Sequence, residues 1–531
     1  MKRGLLLILA LLLLTAAPWA TQAQEMNEVN FGISQNVDTL DANLSTFSGV
    51  ANIMSHVYDP LVWQFPLGTF HPGLAREWSA NEDATEWTFH LRDDVTFHDG
   101  TAFTGEAVKF TYDRILDPEN NAQIALSLLG PYEETVVHDD YTITIRFSAP
   151  YAPFLNSLSS PFLGITSPTA VAEMGEDYGI TGVVSTGAYM VESYVPESSV
   201  VLVKNPNWTW GPESVFGSSG PANFDKINYT IVRDPASRLS ALEAGQVHFI
   251  NDVPTADVAR LEENDALSIL RIEQPGHGWS LMFNFERYPS DQLAVRQAMA
   301  FAIDKQAMVD IVFNGFGTAG CSPLTKVMFS YIDVQCADYP YDPDRANAIL
   351  DEAGWVDTDG DGIRDKDGEP LWLEHWTLST VPAFAGMSTV IESYAADVGI
   401  KFNLNLATRA GYFDAVRAGE HHTQHWWDTG LDPDTVMRTL YHSSNADGGT
   451  NRNRYRDQEM DDLILAGSST AVSEEREAIY HQLQQKIADE VIMIFMVDPF
   501  LLYGSVANLH GVTYLAGGNI SNLIAASFSD E

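Results

Sequence analysis

The sequence predicts an α/β protein, because stretches of alternating apolar residues and segments with helical apolar spacing follow one another along most of the chain. Hydrophobic residues make up 45% of the 531 residues, which is typical of a folded globular protein and not of a disordered one. At roughly 150 residues per domain, this length predicts three to four domains or two large lobes. No internal repeat or low-complexity linker divides the chain.

Three segments carry the strand prediction. Apolar and polar residues alternate in 87–91 and in 141–147, which is the pattern of half-buried antiparallel strands. Residues 491–497 (VIMIFMV) are apolar throughout. This run is far shorter than a membrane span, so it indicates a buried strand.

Short polar residues mark the beginning of the predicted helices, since their side chains accept hydrogen bonds from the first free backbone N–H groups. Glycines mark several helix ends. The predicted boundaries are a helix from Asp234-Pro235 to Gly245, a strand at 247–250, a helix over 293–313 that is capped again at Asp304, a helix from Asp342-Pro343 to Gly354, and a helix capped by Ser473.

Residues 1–23 have the pattern of a secretory signal peptide. Lys2 and Arg3 precede an aliphatic run at 5–14, and small residues lead to a cleavage point before Gln24. The aliphatic run is too short to cross a bilayer, although an uncleaved N-terminal anchor helix is the alternative. No cysteine lies near the cleavage point, so we expect a secreted, periplasmic protein without a lipid anchor.

The charge of the chain excludes several partners. Lys and Arg number 29 and Asp and Glu number 72, which gives a net charge of −43. Binding to nucleic acid phosphates or to anionic membranes needs clustered basic residues, so neither partner is expected.

Two cysteines exclude a disulfide-dense scaffold and a four-thiolate zinc site. Cys321 and Cys336 are 15 positions apart, and in an oxidising compartment we predict a disulfide between them. Closing such a loop stabilises the fold by about 3 kcal/mol on the chain-entropy description. The alternative is a pair of buried free thiols.

The segment 357–369 (DTDGDGIRDKDGE) resembles the first half of a calcium-binding loop. Asp357, Asp359 and Asp361 occupy alternate positions, and Asp365 occupies the ninth. The twelfth position is Gly368 instead of the usual bidentate glutamate. A structural calcium ion and a solvated acidic turn are the two interpretations; no cofactor is required.

Residues 421–428 (HHTQHWWD) contain two sets of candidate functional residues. His421, His422 and His425 suggest either a nickel, copper or zinc site or three structural imidazoles. Trp426, Trp427 and Asp428 suit the wall of a binding pocket, where indole faces supply contact area and the carboxylate meets an amine or a hydroxyl group. The alternative is a core aromatic pair followed by a turn-capping aspartate.

No enzyme motif accompanies these residues. The chain contains no HExxH, no GxSxG and no Walker loop, and no pair of carboxylates has a spacing that singles it out. We therefore predict that the protein is not an enzyme, with a secreted hydrolase as the alternative from another class.

A series of segments resembles, in order, the family 5 extracellular solute-binding proteins, the peptide- and nickel-binding group that serves ABC importers. The segments are GLAREWSANEDATEWTFHLRDDVTFHDGTAFTGEAVKFTYDRI, STGAYMV, LVKNPNW, RLSALEAGQVHFI, AVRQAMAFAIDKQAMV, YDPDRANAILDEAGW and RYRDQEMDDLI. The resemblance implies a two-lobed periplasmic-binding-protein fold with an extra third domain, hinged, with the ligand between the lobes. Its implied divisions are 24–60, 185–270 and 495–531 for the base of the first lobe, 61–184 for the extra domain, and 271–494 for the second lobe.

The resemblance also implies a ligand and a partner. We expect a monomer that captures peptides and delivers them to an ABC permease in the inner membrane, with an oligosaccharide or a nickel–metallophore complex as the alternative ligand. Asp428 resembles the aspartate that pairs with a peptide amine. The arginine that dipeptide binders use would fall near Leu378, which favours longer peptides. The predicted pocket residues are Trp426, Trp427, Asp428, Trp279, Asn284, Thr46 and Phe47.

Overall fold

The computed structural model describes residues 27–47, 49–447, 449–515 and 520–529. The predicted signal peptide, residues 1–23, lies outside these ranges. Within them, every helix is too short or too polar to traverse a bilayer.

The strands of the described residues, numbered β1 to β24 in chain order, are Glu28–Ile33, Val62–Gln64, Phe70–Pro72, Ala75–Ala80, Glu86–Leu91, Tyr132–Asp139, Thr142–Phe147, Tyr189–Val195, Ser199–Lys204, Lys226–Ile231, Phe249–Ile250, Leu267–Glu273, His277–Phe283, Gly317–Ala319, Asp365–Lys366, Glu369–Pro370, Trp372–Leu378, Lys401–Ala407, Thr423–Asp428, Met493–Val506, Leu509–His510, Thr513–Leu515, Ile520–Asn522 and Ser527–Phe528.

The α-helices of the same residues, numbered α1 to α16, are Val50–Met54, Gly105–Leu116, Gln123–Leu129, Phe154–Leu158, Pro168–Met174, Glu213–Phe216, Pro235–Glu243, Val258–Glu262, Leu293–Ala302, Lys305–Phe313, Pro343–Glu352, Pro382–Asp397, Arg409–Ala418, Pro433–Tyr441, Gln458–Ser469 and Ser473–Asp489.

A large mixed sheet runs through the molecule in the order β18-β17-β19-β13-β20-β11-β1-β10-β9-β8. Strand β20 links its two halves. Residues 493–497 pair with β13, whereas residues 500–506 pair with β12. We call the β13, β17, β18 and β19 side the second lobe and the β1, β8, β9, β10 and β11 side the first lobe. The predicted α/β fold is confirmed, and the chain passes between the lobes at 274–276 and at 498–499.

A separate antiparallel sheet, β4-β5-β7-β6, lies within the predicted extra domain. Its buried residues join those of the first lobe in one hydrophobic core, which includes Phe31, Phe89 and Ile145. The second lobe has cores of its own around Leu281 and around Met437. The exact domain boundaries stay a prediction, and position 495 falls inside the continuous strand β20.

Most predicted element boundaries agree with the structure. Asp304 separates α9 from α10, and its side chain accepts a hydrogen bond from Ala307 N at 3.0 Å. Asp234 and Asp342 cap α7 and α11 in the same way. Ser473 is a correction, because it is the first residue of α16, and Val472 occupies the cap without a side-chain hydrogen bond.

Candidate functional site

The candidate site lies where β19, β13 and β20 meet beside the crossing between the lobes. His277 pairs with Asp428 and Ser280 pairs with Trp426, so β13 has one more residue than β19 over this stretch. Such a bulge bends a strand and changes the direction of its side chains. Here it lies next to Trp279, which pairs with Val497 on the other side.

Aromatic side chains form a wall at this point. The Trp279 ring lies 4.9 Å from Phe384 and 5.6 Å from Trp427, measured between ring centroids. Trp426 and Trp427 are 5.5 Å apart. All three indoles are half-buried, so part of each ring stays accessible. We call Trp279, Trp426 and Trp427 the tryptophan wall, and their mutual contacts hold the rings in place.

Asp428 lies at the end of β19, next to this wall, and is half-buried. Its carboxylate accepts one hydrogen bond, from Thr429 N at 2.8 Å, and makes no ion pair with any described residue. Burial raises the pKa of Asp428 to about 6, and the nearby Arg452 guanidinium opposes that rise only in part. The carboxylate therefore has unused capacity to accept hydrogen bonds from a cationic donor.

Arg452 lies against the tryptophan wall, and the sequence analysis did not identify it as a site residue. Its guanidinium carbon lies 3.5 Å from the centroid of the Trp426 ring. The segment RNRYR at 452–456 is a basic cluster in a strongly acidic chain, and that contrast could have indicated it.

Asn284 lies away from the tryptophan wall, and its role in ligand binding stays a prediction. It follows the opposite end of β13 and is fully buried. Its amide donates to His421 O at 3.0 Å and its oxygen accepts from Glu286 N at 3.0 Å. These bonds occupy both the donor and the acceptor of the side chain and hold a backbone turn. Little hydrogen-bonding capacity is therefore left for a ligand.

Thr46 and Phe47 lie in the first lobe, and the structure shows no contact between either residue and the tryptophan wall. The Thr46 hydroxyl donates to Asp38 at 3.1 Å. Phe47 is 46% exposed, which is unusual for a large apolar side chain. Their role in ligand binding stays a prediction.

The three histidines before the wall are structural. The ring nitrogens of His425 form hydrogen bonds with Ser280 O and Ser388 Oγ. Those of His422 form hydrogen bonds with Glu374 N and Tyr288 O. Burial lowers the pKa of His421, His422 and His425 to about 4. In the described part of the chain they form no group of three ligating side chains, which removes the basis for a histidine metal site.

The acidic loop brings together three of its four predicted ligands. Oxygen atoms of Asp357, Asp359 and Asp361 lie within 4.8 Å of one another on the surface. Asp365 is not part of this group, and its Oδ2 atom accepts hydrogen bonds from Thr358 N at 3.0 Å and Thr358 Oγ1 at 2.7 Å. Calcium binding by this loop stays a prediction.

The predicted disulfide is present. The Cys321 and Cys336 sulfur atoms are 2.00 Å apart. The loop that this disulfide closes contacts the segment 274–276, which crosses between the lobes, because Thr325 N donates a hydrogen bond to Gly276 O at 2.9 Å.

Comparisons with known proteins define the class. The profile described as "Bacterial extracellular solute-binding proteins, family 5 Middle" matches residues 69–448. Heme-binding protein A of Haemophilus influenzae is 30% identical over 456 residues, 81% of this chain and 79% of the relative. The dipeptide-binding protein of Escherichia coli is 26% identical over 462 residues, 82% of each chain. HbpA2 from Haemophilus parasuis shares the fold, with a TM-score of 0.82 at 22% identity over 95% of this chain and 100% of that one.

The chain therefore belongs to the family 5 extracellular solute-binding proteins. Members of this family bind small solutes and work with ABC permeases; they are not enzymes. The secreted-hydrolase alternative is accordingly set aside.

Proposed function

We propose that this protein is the periplasmic substrate-binding component of an ABC importer, and that it captures peptides with a free N-terminal amine at Asp428. The observation that carries the proposal is a half-buried carboxylate that accepts one backbone hydrogen bond and forms no ion pair with any described residue, placed beside three half-buried indoles. The dipeptide-binding relative supports peptides as the class of solute.

An ammonium group suits this place for two reasons. It donates charge-assisted hydrogen bonds to the carboxylate, which are stronger than neutral ones. It also interacts favourably with the face of Trp427. Peptide backbone and side chains would then lie along the remaining indole surface, which tolerates varied sequences.

Capture depends on movement between the lobes. The chain crosses at 274–276 and 498–499, and few crossing segments permit a hinge. A peptide that contacts both lobes favours the closed form by its greater affinity for that form. Shifting a population from 1:99 to 99:1 takes about 5.5 kcal/mol of such preference. The closed form would be the one that the permease in the inner membrane recognises.

The predicted signal peptide of residues 1–23 supports export to the periplasm. A monomer without nucleic acid partners fits this role. A structural calcium ion at Asp357, Asp359 and Asp361 would be an accessory to it.

The test compares Asp428→Asn with the wild type by calorimetry, using trialanine and N-acetyltrialanine. We expect the variant to lose ~10- to 100-fold in affinity for the free-amine peptide, the value of a hydrogen bond between charged groups, and to bind the acetylated peptide as the wild type does. Asp310→Asn is the matched control, because Asp310 is exposed on α10 of the same lobe. Equal loss for both peptides would reject the proposed role of Asp428.

A second candidate solute is a heme or another planar chelate. It is favoured by the 30% identical heme-binding relative and by the half-buried indoles of the tryptophan wall, against which a planar ring system can stack. Native mass spectrometry of the gently purified protein separates the candidates, because a retained peptide, oligosaccharide, nickel complex or heme differs in mass. A retained heme, together with no heat on peptide titration, would replace the peptide proposal.

A further inference from the structure

A cavity of about 270 Å³ lies next to the tryptophan wall, between α13 and residues 449–454. The residues used here from its lining are Phe413, Arg417, Thr450, Arg452 and Arg454. Three arginines around one cavity are unexpected in a chain with 72 acidic and 29 basic residues. The cavity is therefore a local positive region in a negatively charged protein.

Arg452 differs from the other arginines of the cavity in having no partner. Arg417 pairs with Asp414 at 3.2 Å, and Arg454 pairs with Glu286 at 2.9 Å. The Arg452 guanidinium makes no hydrogen bond or ion pair with any described residue, and its buried Nη1 atom is unsatisfied. The hydroxyl of Thr450 donates to Thr439 O and is already used.

The orientation of Arg452 is nevertheless fixed. One face of the guanidinium covers the Trp426 ring, and Phe413 lies 5.2 Å from it. Stacking leaves the N–H groups at the edge of the plane free to donate. A planar fork of this kind matches two oxygens of a carboxylate or phosphate. Arg452 is half-buried, but its Nη1 donor is buried without a partner, which is costly, and an oxyanion would satisfy it.

We propose that this cavity binds an oxyanion, of the carboxylate or phosphate type, through the guanidinium of Arg452. The oxyanion has two sources: an acidic group of the transported solute, or a free anion from solution. The first source rests on the proposed function, since the stacking of Arg452 on Trp426 connects the cavity to the wall that would hold the solute. The second source does not depend on that function.

The experiment uses Arg452→Met, which keeps an apolar stem on Trp426 and removes the charge, and Arg452→Lys, which keeps the charge and removes the fork. Arg456→Met is the matched control, because Arg456 is exposed, lies in the same segment, and pairs with Asp447 at 2.5 Å and with Glu286, neither of which lines the cavity. Circular dichroism establishes that each variant is folded. The ligands are trialanine, its C-terminal amide and inorganic phosphate.

For a solute carboxylate, we expect the wild type to bind trialanine ~10- to 100-fold more tightly than the amide. Arg452→Met should lose this preference, Arg452→Lys should keep part of it, and Arg456→Met should keep all of it. For a free anion, phosphate should bind the wild type and the control but not Arg452→Met. Either result supports the proposal.

The two proposals fail separately. If no peptide binds the wild type, the proposed function fails, and the phosphate titration still decides whether Arg452 binds an oxyanion. If neither phosphate binding nor the preference for the free acid changes in a folded Arg452→Met variant, the oxyanion proposal is overturned.

Discussion

Asp428 and Asp432 are four residues apart, and each has an arginine in its neighbourhood, yet their environments are opposite. Asp432 is 3% exposed, accepts from Arg476 Nη1 at 2.8 Å and from Asn156 at 2.7 Å, and caps α14. Asp428 and Arg452 influence one another electrostatically without forming an ion pair. The first pair is satisfied within the chain and stabilises the fold, whereas the second leaves both charges available to a ligand.

The largest effect on stability is expected when the ion pair of Asp432 is broken. Arg476→Met leaves the Asp432 carboxylate buried without its cation, which we expect to lower the free energy of unfolding by about 4 kcal/mol. Urea denaturation measures the loss. Arg233→Met, which removes an exposed pair with Glu197 at 3.7 Å, should cost about 0.5 kcal/mol or less. A loss in Arg476→Met no greater than in this control would mean that Asp432 does not depend on its partner.

A second prediction extends the contrast to Asp498, a buried carboxylate without a hydrogen bond or ion pair among the described residues, whose charge Lys326 and Lys305 offset only in part. Asp498 is 7% exposed, and neither oxygen has a hydrogen-bond partner among the described residues. Burial raises the pKa of Asp498 from 3.8 to about 7. Between these values the folded chain keeps a proton that the unfolded chain has released, so stability falls as the pH rises from about 4 to about 7 and the loss is complete above that.

Asp498→Asn removes the ionisation, and we expect a gain of about 2 kcal/mol at pH 8 and little change at pH 4. Urea denaturation at both pH values measures it. Asp489→Asn, at an exposed position near the end of α16, is the control and should show no such difference. A variant that is less stable than the wild type at pH 8 would show that Asp498 has a favourable ionised contact.

The smallest expected effect on stability belongs to Asp428. Its pKa is raised by burial from 3.8 to about 6, so this contribution to stability also decreases as the pH rises over that range. Because the side chain is only half-buried, solvent reduces the effect, and Asp428→Asn should stabilise the free protein by ~1 kcal/mol or less at pH 8.

Gained stability together with lost affinity is the combination expected of a residue kept for binding. Denaturation of the unliganded variant measures the first property, and the peptide titration measures the second. If Asp428→Asn instead destabilises the protein, Asp428 stabilises the fold, as Asp432 does.

Residues 421–428 show how far sequence reasoning extends to a site. The pattern HHTQHWWD allows a metal site or structural imidazoles at its histidines, and a pocket wall or a core pair at its tryptophans. The structure divides it into three buried histidines with internal partners and a half-buried end with free capacity. The partners of His425 are Ser280 and Ser388, which are distant in sequence and cannot be found from local spacing. The partner of Asn284 is His421 O, which is likewise distant in sequence.

The sequence by itself determined the α/β class, the caps at Asp234, Asp304 and Asp342, and the Cys321–Cys336 pair. Periodicity and capping act between residues a few positions apart, so they are visible in the chain as written. Only the tertiary structure decided which charges are compensated. Asp432 contacts Arg476 and Asn156, whereas Arg452 contacts the face of Trp426 and pairs with no carboxylate in the part of the chain that the structure describes. Those pairings depend on which remote segments fold together, and the cost of burial then separates groups that stabilise the fold from groups left for a ligand.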